Sequence, residues 1–299
     1  LAATLDRAEH YVVRPETWNV IKRPVLSVSS VARTELGGLL AMRAAYLPAV
    51  GRRALVAPTG AIGPLDAPHS LLHRLQWNSE GIEVALNSLV GELFSCQIVI
   101  DVAQHTEISL RVLPADTTLP EFGSTRERAR FLSDFPTVDK FQDGVANCVA
   151  IGITVLLNGG SVVLIDVPEM GLHPDSCRQL GRWLADSATK NDAQLFLATH
   201  SSDLIEGLQE GQGDVSAIRL QRTSETFLAK PVSSKAMHGL KTSPYFFSQR
   251  AIASIFADAV VITDNEIERS IYRAALLHTS PTAHRLAFFQ SFGLVGLDS

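Results

Sequence analysis

The sequence predicts an α/β fold built on a parallel sheet, followed by the start of a second unit of the same class. Three observations predict it. Residues 161–175, "SVVLIDVPEMGLHPD", hold an apolar run, Val162 to Ile165, that ends in Asp166. Residues 194–200, "QLFLATH", form a second apolar run. Between them lies a segment of helical period, and strand, helix, strand within about 40 residues is the βαβ unit of a parallel sheet. Both strands are apolar throughout, which predicts burial on both faces.

The bulk numbers agree with a globular chain. It has 299 residues, 46% hydrophobic and 19% charged, enough for one large or two modest cores. No apolar run is long enough to cross a bilayer, and no signal-peptide pattern opens the chain. Cys96, Cys148 and Cys177 are widely spaced, which suits a reducing cytoplasm and argues against a zinc site or disulfide framework. A net charge of −5 gives no global attraction to nucleic acid, although basic residues confined to one groove would escape that argument. The first residue is Leu1 and the last segment stops in mid-pattern, so a fragment of a longer protein is expected.

Along the chain, residues 1–68 are rich in Pro and Gly, with a helix expected around Leu36 to Leu47. From His69 to Phe94 the apolar spacing fits a helical face with one break. "CQIVIDV" and "EISLRVL" read as a β-hairpin across "AQHTE". Residues 114–138 are loop-rich and bring Arg126, Arg128 and Arg130 close together, as phosphate contacts or as an ordinary exposed basic helix. Asp143 to Leu157 is apolar nearly all round and predicts a buried helix. Pro174 opens a helix to Lys190, with Leu180, Trp183, Leu184 and Ala188 on its inner face. A short helix, Asp203 to Leu208, follows the second strand, and "VSAIRLQR" with "TFLAKPV" reads as an edge hairpin. "AVVIT" (259–263), "EIERSIYRAALLH" (266–278) and "RLAFFQSFG" (285–293) then predict strand, helix, strand again. The expected division is 1–231, a linker with a helix over 232–258, and a second unit from 259 to 299.

Asp166 stands where open α/β sheets bind ligands, at the C-terminal end of a buried strand. Such an Asp can hold Mg²⁺ on nucleotide phosphates, and equally can be a loop or capping Asp. "ATHS" after the neighbouring strand places His200 at the same edge, where it can meet a γ-phosphate or simply face solvent. Asp166, "GLHP" and "ATHS" together form a compound pattern.

That pattern, "VVLIDVPEMGLHPDSCRQLGRWLADSA…QLFLATHSSDLIEGL", resembles the Walker B, D-loop and switch-histidine region of ABC-type ATPases. More narrowly it is similar to the ATPase half of overcoming-lysogenization-defect (OLD) family nucleases, where the form is close to L-I-D-E-P-E-x-x-L-H-P. The resemblance implies an ABC-type P-loop NTPase-like sheet, incomplete at its N-terminus, with ATP and Mg²⁺ at Asp166 and His200 as the switch histidine. "KFQDG" matches the place of the shortened signature, so Asp143 and Gly144 would face the ATP of a partner subunit in a homodimer, through N–H groups at a helix start. The plainer reading is an ordinary helix N-terminus.

In OLD proteins a Toprim domain follows. "FADAVVITDNEIERSIYRAALL" puts Asp264 at the place of its first Glu, then Glu266 and Glu268. Clustered carboxylates suit Mg²⁺ or Mn²⁺ and phosphodiester cleavage of DNA, while the plain alternative is an acidic helix start favoured by the macrodipole.

Three departures bear on the chemistry. No GxxxxGK[ST] occurs, so the phosphate-cradling loop is expected before Leu1. Val167 stands at the catalytic Glu, and valine neither orients water nor accepts its proton. Glu169, the second Glu of the motif, lies beyond Pro168 and is not expected to substitute simply. The later Toprim Asp-x-Asp does not occur before Ser299. The expectation is an OLD-like ATP-dependent DNA endonuclease with hydrolysis in doubt. The alternatives are a hydrolysis-deficient nucleotide-binding regulatory or structural protein, and a non-ATPase domain related by descent only.

Overall fold

The computed structural model describes residues 10–13, 20–23, 44–63, 66–78, 81–102, 106–222, 227–232, 237, 251–279 and 286–290. Its strands are β1 (His10–Val13), β2 (Val20–Arg23), β3 (Ala44–Leu47), β4 (Thr59–Gly60), β5 (Cys96–Asp101), β6 (Glu107–Pro114), β7 (Val162–Asp166), β8 (Gln194–Ala198), β9 (Ala217–Arg222), β10 (Phe227–Val232), β11 (Ala259–Thr263) and β12 (Leu286–Gln290). Its helices are α1 (Arg52–Leu55), α2 (Leu71–Trp77), α3 (Ile82–Phe94), α4 (Thr125–Ser133), α5 (Asp143–Leu157), α6 (Pro174–Lys190), α7 (Ser202–Glu210) and α8 (Glu266–Thr279).

The α/β class and the parallel sheet are as the sequence predicts. β3, β7 and β8 form it in that order, with Leu47 opposite Ile165 and Asp166 opposite Ala198. β11 and β12 pair in parallel across α8, forming the second βαβ unit, and residues 291–293 of the expected strand lie outside the described residues. The expected helix around Leu36 to Leu47 is corrected in its last part: Ala44–Leu47 is a strand. Pairing with β7 outweighs the local helical spacing there, and residues 36–43 lie outside the described residues.

Burial on both faces is also corrected. Val163 and Ile165 are buried with Leu47 against α5 and α6, but the alternate residues turn outward. Tyr46, Leu164 and Phe196 are 64%, 38% and 53% exposed and lie in one row across the three strands. The apolar runs look two-sided in sequence because both sets of side chains are apolar. Only one set meets the helices.

α5 is apolar all round for a reason visible in its neighbours. Val145, Val149 and Ile153 join a core with α2, α3 and the antiparallel sheet β4-β6-β5. Ile151 and Val155 join the core of the parallel sheet. One helix therefore serves two cores, and at ~25 cal/mol per Å² of buried apolar area it is a principal source of cohesion.

The predicted hairpin over 215–232 forms as β9 and β10, a two-stranded sheet separate from the parallel one. Ile205 of α7 packs with Met237 and Ile252, and Arg219 pairs with Asp258 at 2.7 Å. The predicted helix over 266–278 forms as α8, with Ile267, Ile271 and Leu277 exposed. No helix among the described residues is long and apolar enough to cross a membrane.

α6 and α7 cross through two glycines. A Cβ at Gly181 would strike the Leu204 carbonyl, and one at Gly207 the Arg178 carbonyl. The Arg178–Glu206 ion pair closes the same crossing. Alanine normally favours a helix over glycine by about 1 kcal/mol; here the sign reverses. Gly207→Ala is expected to lower stability by about 1–3 kcal/mol, read as the denaturant midpoint. The three cysteine thiols are buried, which pushes Cys96 and Cys177 up to about 11 and Cys148 higher still. Since the thiolate is the reacting form, a raised pKa keeps them protonated at pH 8. A thiol-reactive disulfide reagent at that pH should leave the native protein unlabelled and label three thiols in denaturant.

Candidate functional site

β7 and β8 run parallel, so their C-terminal ends lie at one edge and bring Asp166 and the Thr199–His200 segment together. The chain then turns sharply. Val167 has φ 49, its N–H donates to the Ala198 carbonyl at 2.8 Å, and its carbonyl accepts from the Met170 N–H at 3.3 Å. A β-branched residue in the left-handed region is an outlier that costs about 1–3 kcal/mol. Something must hold it.

The holder is Arg52, at the start of α1 directly after β3, 1% exposed. Its Nη2 donates to the Asp166 carbonyl and, at 3.3 Å, to the Leu47 carbonyl. Its Nη1 donates to the Val167 carbonyl at 3.1 Å and to Asn147 Oδ1 at 2.5 Å. Asn147, inside α5, donates from Nδ2 to the carbonyls of Pro168 (2.8 Å) and Met170 (3.0 Å). Burial lowers the pKa of the guanidinium, and the negative charges of Asp166 and Glu169 oppose that shift. Arg53 turns the other way, pairing with Asp143 at 2.6 Å and donating from Nη2 to the Phe141 carbonyl at 2.7 Å. Consecutive arginines thus tie the end of β7 and the start of α5 to one short helix. Sequence reasoning missed both. The available signal was "GRRAL", two cations placed directly before apolar residues.

Glu169 is 8% exposed. Its Oε1 accepts from Thr199 Oγ1 at 2.7 Å and from the His200 N–H at 3.0 Å, and lies 3.3 Å from His200 Nδ1. It points into the turn before α7. The His200 ring is 79% exposed.

Gly144 packs against the turn after Met170. A Cβ on it would lie 2.6 Å from the Gly171 carbonyl oxygen, and Gly171 has φ 75. Gly144 is therefore buried within its own chain, while Asp143 beside it is exposed and paired with Arg53. Arg128 donates inward to the Ile100 carbonyl at 3.2 Å, which separates it from the exposed Arg126 and Arg130.

The acids after β11 are held locally. Glu268 Oε2 accepts from the Asp264 N–H at 3.2 Å, Asn265 Oδ1 accepts from the Glu268 N–H at 2.9 Å, and Glu266 pairs with Arg269 at 2.6 Å. This is a helix-capping arrangement. Among the described residues no three His, Cys, Asp or Glu side chains gather to hold a metal. Asp166 fits Mg²⁺ on different grounds, since that ion commonly uses one or two carboxylates and completes its shell with substrate phosphates and water.

Residues 149–206 match a family model described as "AAA domain, putative AbiEii toxin, Type IV TA system". No curated protein matches the chain. Among solved structures, it is similar to the Smc head domain with an extended coiled coil bound to the C-terminal domain of ScpA from Pyrococcus furiosus. There the identity is 10% and the TM-score 0.41, over 56% of this chain and 39% of that one. The SmcHead bound to the C-winged helix domain of ScpA gives 8% and 0.44, over 63% and 55%. The SMC head domain from Thermotoga maritima gives 12% and 0.34, over 54% and 51%. The chain thus spans 39–55% of the length of these three. At these identities and scores the likeness says nothing about activity.

If the turn at residue 167 is strained as its φ indicates, glycine should relax it. Val167→Gly is expected to raise unfolding free energy by about 1 kcal/mol, the relief exceeding the entropy that glycine adds to the unfolded chain. Equilibrium denaturation measures it, and a loss of stability would refute the strain.

Proposed function

We propose that this chain carries part of an AAA/ABC-type nucleotide site that binds Mg·ATP through Asp166 and hydrolyses it poorly. One observation carries the proposal: the strand-end Asp is followed by a strained, over-determined turn whose outlying residue is Val167. Strain of this kind persists where surrounding structure compensates for it, and it clusters at ligand sites. The AAA-type match over 149–206, which takes in both Asp166 and His200, supports the same reading.

The geometry supports these roles. Asp166 would hold Mg²⁺ on the nucleotide phosphates. His200, exposed at the same edge, would meet the γ-phosphate. Glu169 is buried and its Oε1 holds Thr199 and the His200 N–H, which favours a part in fixing the switch histidine over one in activating water. Val167 offers nothing to orient or deprotonate water, so binding outlasts turnover. In a homodimer the exposed Asp143 would face the partner's ATP, while Gly144, packed under Gly171, would only support it.

A second reading, the OLD-like DNA endonuclease, is favoured by the β11–α8–β12 unit, with Asp264 at the end of its first strand. Asp264, Glu266 and Glu268 would then take Mg²⁺ or Mn²⁺ after leaving their present capping partners. It predicts metal-dependent DNA cleavage by the full-length protein that disappears in Asp264→Asn. Cleavage surviving that change excludes this metal site.

For the nucleotide site, the full-length protein should bind ATP more tightly with Mg²⁺ than with a chelator. Asp166→Ala should weaken Mg·ATP binding by about tenfold or more, some 1.4 kcal/mol. Val167→Glu should raise phosphate release by about a hundredfold, the low end of general-base contributions. Robust turnover by the unmodified protein would sink the poor-hydrolysis half of the proposal.

A further inference from the structure

We infer that Arg52 is a positioning residue for Asp166, acting through the backbone of the turn that follows it. This rests on the Mg·ATP reading of the site.

Arg52 touches no carboxylate. Its fork instead spans two strands and a helix, reaching the backbone carbonyls of Leu47, Asp166 and Val167 and the side chain of Asn147. Burying a guanidinium is costly unless its donors are used, and the four contacts use both terminal nitrogens. Three of those acceptors are fixed by their own elements, Leu47 in β3, Asp166 in β7 and Asn147 in α5, and the fourth is Val167 in the turn. The cation is therefore a rigid bracket. It holds the carbonyls on either side of the Val167 Cα, and Asn147 holds the next stretch through Pro168 and Met170.

Two features make this more than core packing. The clamped backbone holds Val167, the β-branched residue among the three described non-glycine residues with positive φ. The clamp also acts directly on the residue whose carboxylate would hold the metal. With the Asp166 carbonyl pinned on one side, and the Val167 N–H given to Ala198 on the other, the peptide that follows the Asp166 Cα has little freedom. The backbone that carries the carboxylate is thereby fixed at the sheet edge. A lysine would keep the charge but, as a point donor, could not satisfy acceptors set in several directions at once.

The test uses the full-length protein and two readouts. The first is ATP affinity with Mg²⁺ and with a chelator, for the unmodified protein, Arg52→Lys, Val167→Gly and the double variant. Arg52→Lys should cut the Mg²⁺-dependent gain in affinity by about tenfold, as loss of supporting residues around a metal does, and leave metal-free ATP affinity within about twofold. In the Val167→Gly background the cut should shrink, because glycine holds φ 49 unaided. The second readout is the thermal midpoint of the same four proteins, where Arg52→Lys should cost less in the glycine background. Should Arg52→Lys fail to fold, Asn147→Ser removes the bond to Arg52 and both loop contacts, and carries the same measurements. Equal losses with and without Mg²⁺, or identical losses in both backgrounds, would overturn the inference and leave Arg52 a core residue. If the unmodified protein shows no Mg²⁺-dependent gain, the nucleotide reading fails and the aiming of Asp166 at a metal fails with it. The thermal cycle then separately reports whether Arg52 holds the turn.

Discussion

A single buried cation beneath the end of β7 determines where the site's atoms can be. Arg52 joins the last carbonyls of β7 to the last carbonyl of β3 and to Asn147 in α5. Remove it and four acceptors lose a charged donor inside the protein, where an unmet polar group costs about 1–3 kcal/mol each. The strained φ at Val167, the exit direction of Asp166 and the approach of the turn to α5 all depend on that bracket. Its neighbour Arg53 extends the control to residues 141–143, so both loops facing the sheet edge hang from one point on the chain.

The turn after Asp166 is then locked from its other sides by contacts of different kinds. Glu169 ties it to the Thr199–His200 segment after β8 through a hydroxyl and a backbone N–H. Gly171 and Gly144 bring its far end against α5 at a distance no Cβ would permit. A shift of the turn therefore moves His200 and the start of α5 with it. Asp166, His200 and Asp143 are far apart in sequence but share one rigid support, which suits a ligand that must be sensed by all three. Glu169 carries structure in this turn, through its bonds to Thr199 and to the His200 N–H.

The sequence disclosed the βαβ unit because each element there is self-consistent: apolar runs of strand length, a proline at the helix start, and a helical stripe between. It disclosed Asp166 and His200 as edge residues for the same reason, since parallel strands put both ends on one side. It misled at Ala44–Leu47, where helical spacing in Leu36–Leu47 hid a strand fixed by its long-range partner β7. It misled again on the faces of that sheet, because alternation cannot be read when both sets of residues are apolar, as with Tyr46, Leu164 and Phe196. Arg52 left only the faint trace of two cations placed before apolar residues in "GRRAL". Nothing in composition or period tells a buried arginine from a surface one, and its partners are mostly backbone carbonyls, which carry no sequence signal.

The charge arrangement gives the valine a consistent meaning. A glutamate at 167 would add a second negative group beside Asp166, and like charges about 4 Å apart repel by roughly 4 kcal/mol at an effective dielectric of 20. In an active hydrolase bound Mg²⁺ offsets that repulsion, and the added carboxylate acts on the attacking water. With valine there, Asp166 remains the ionisable group at the strand end proper, with Arg52 behind it and Glu169 engaged in the next turn. Under the proposed reading the edge would meet a triphosphate with less repulsion and without a base, so the residue that denies turnover would also ease binding.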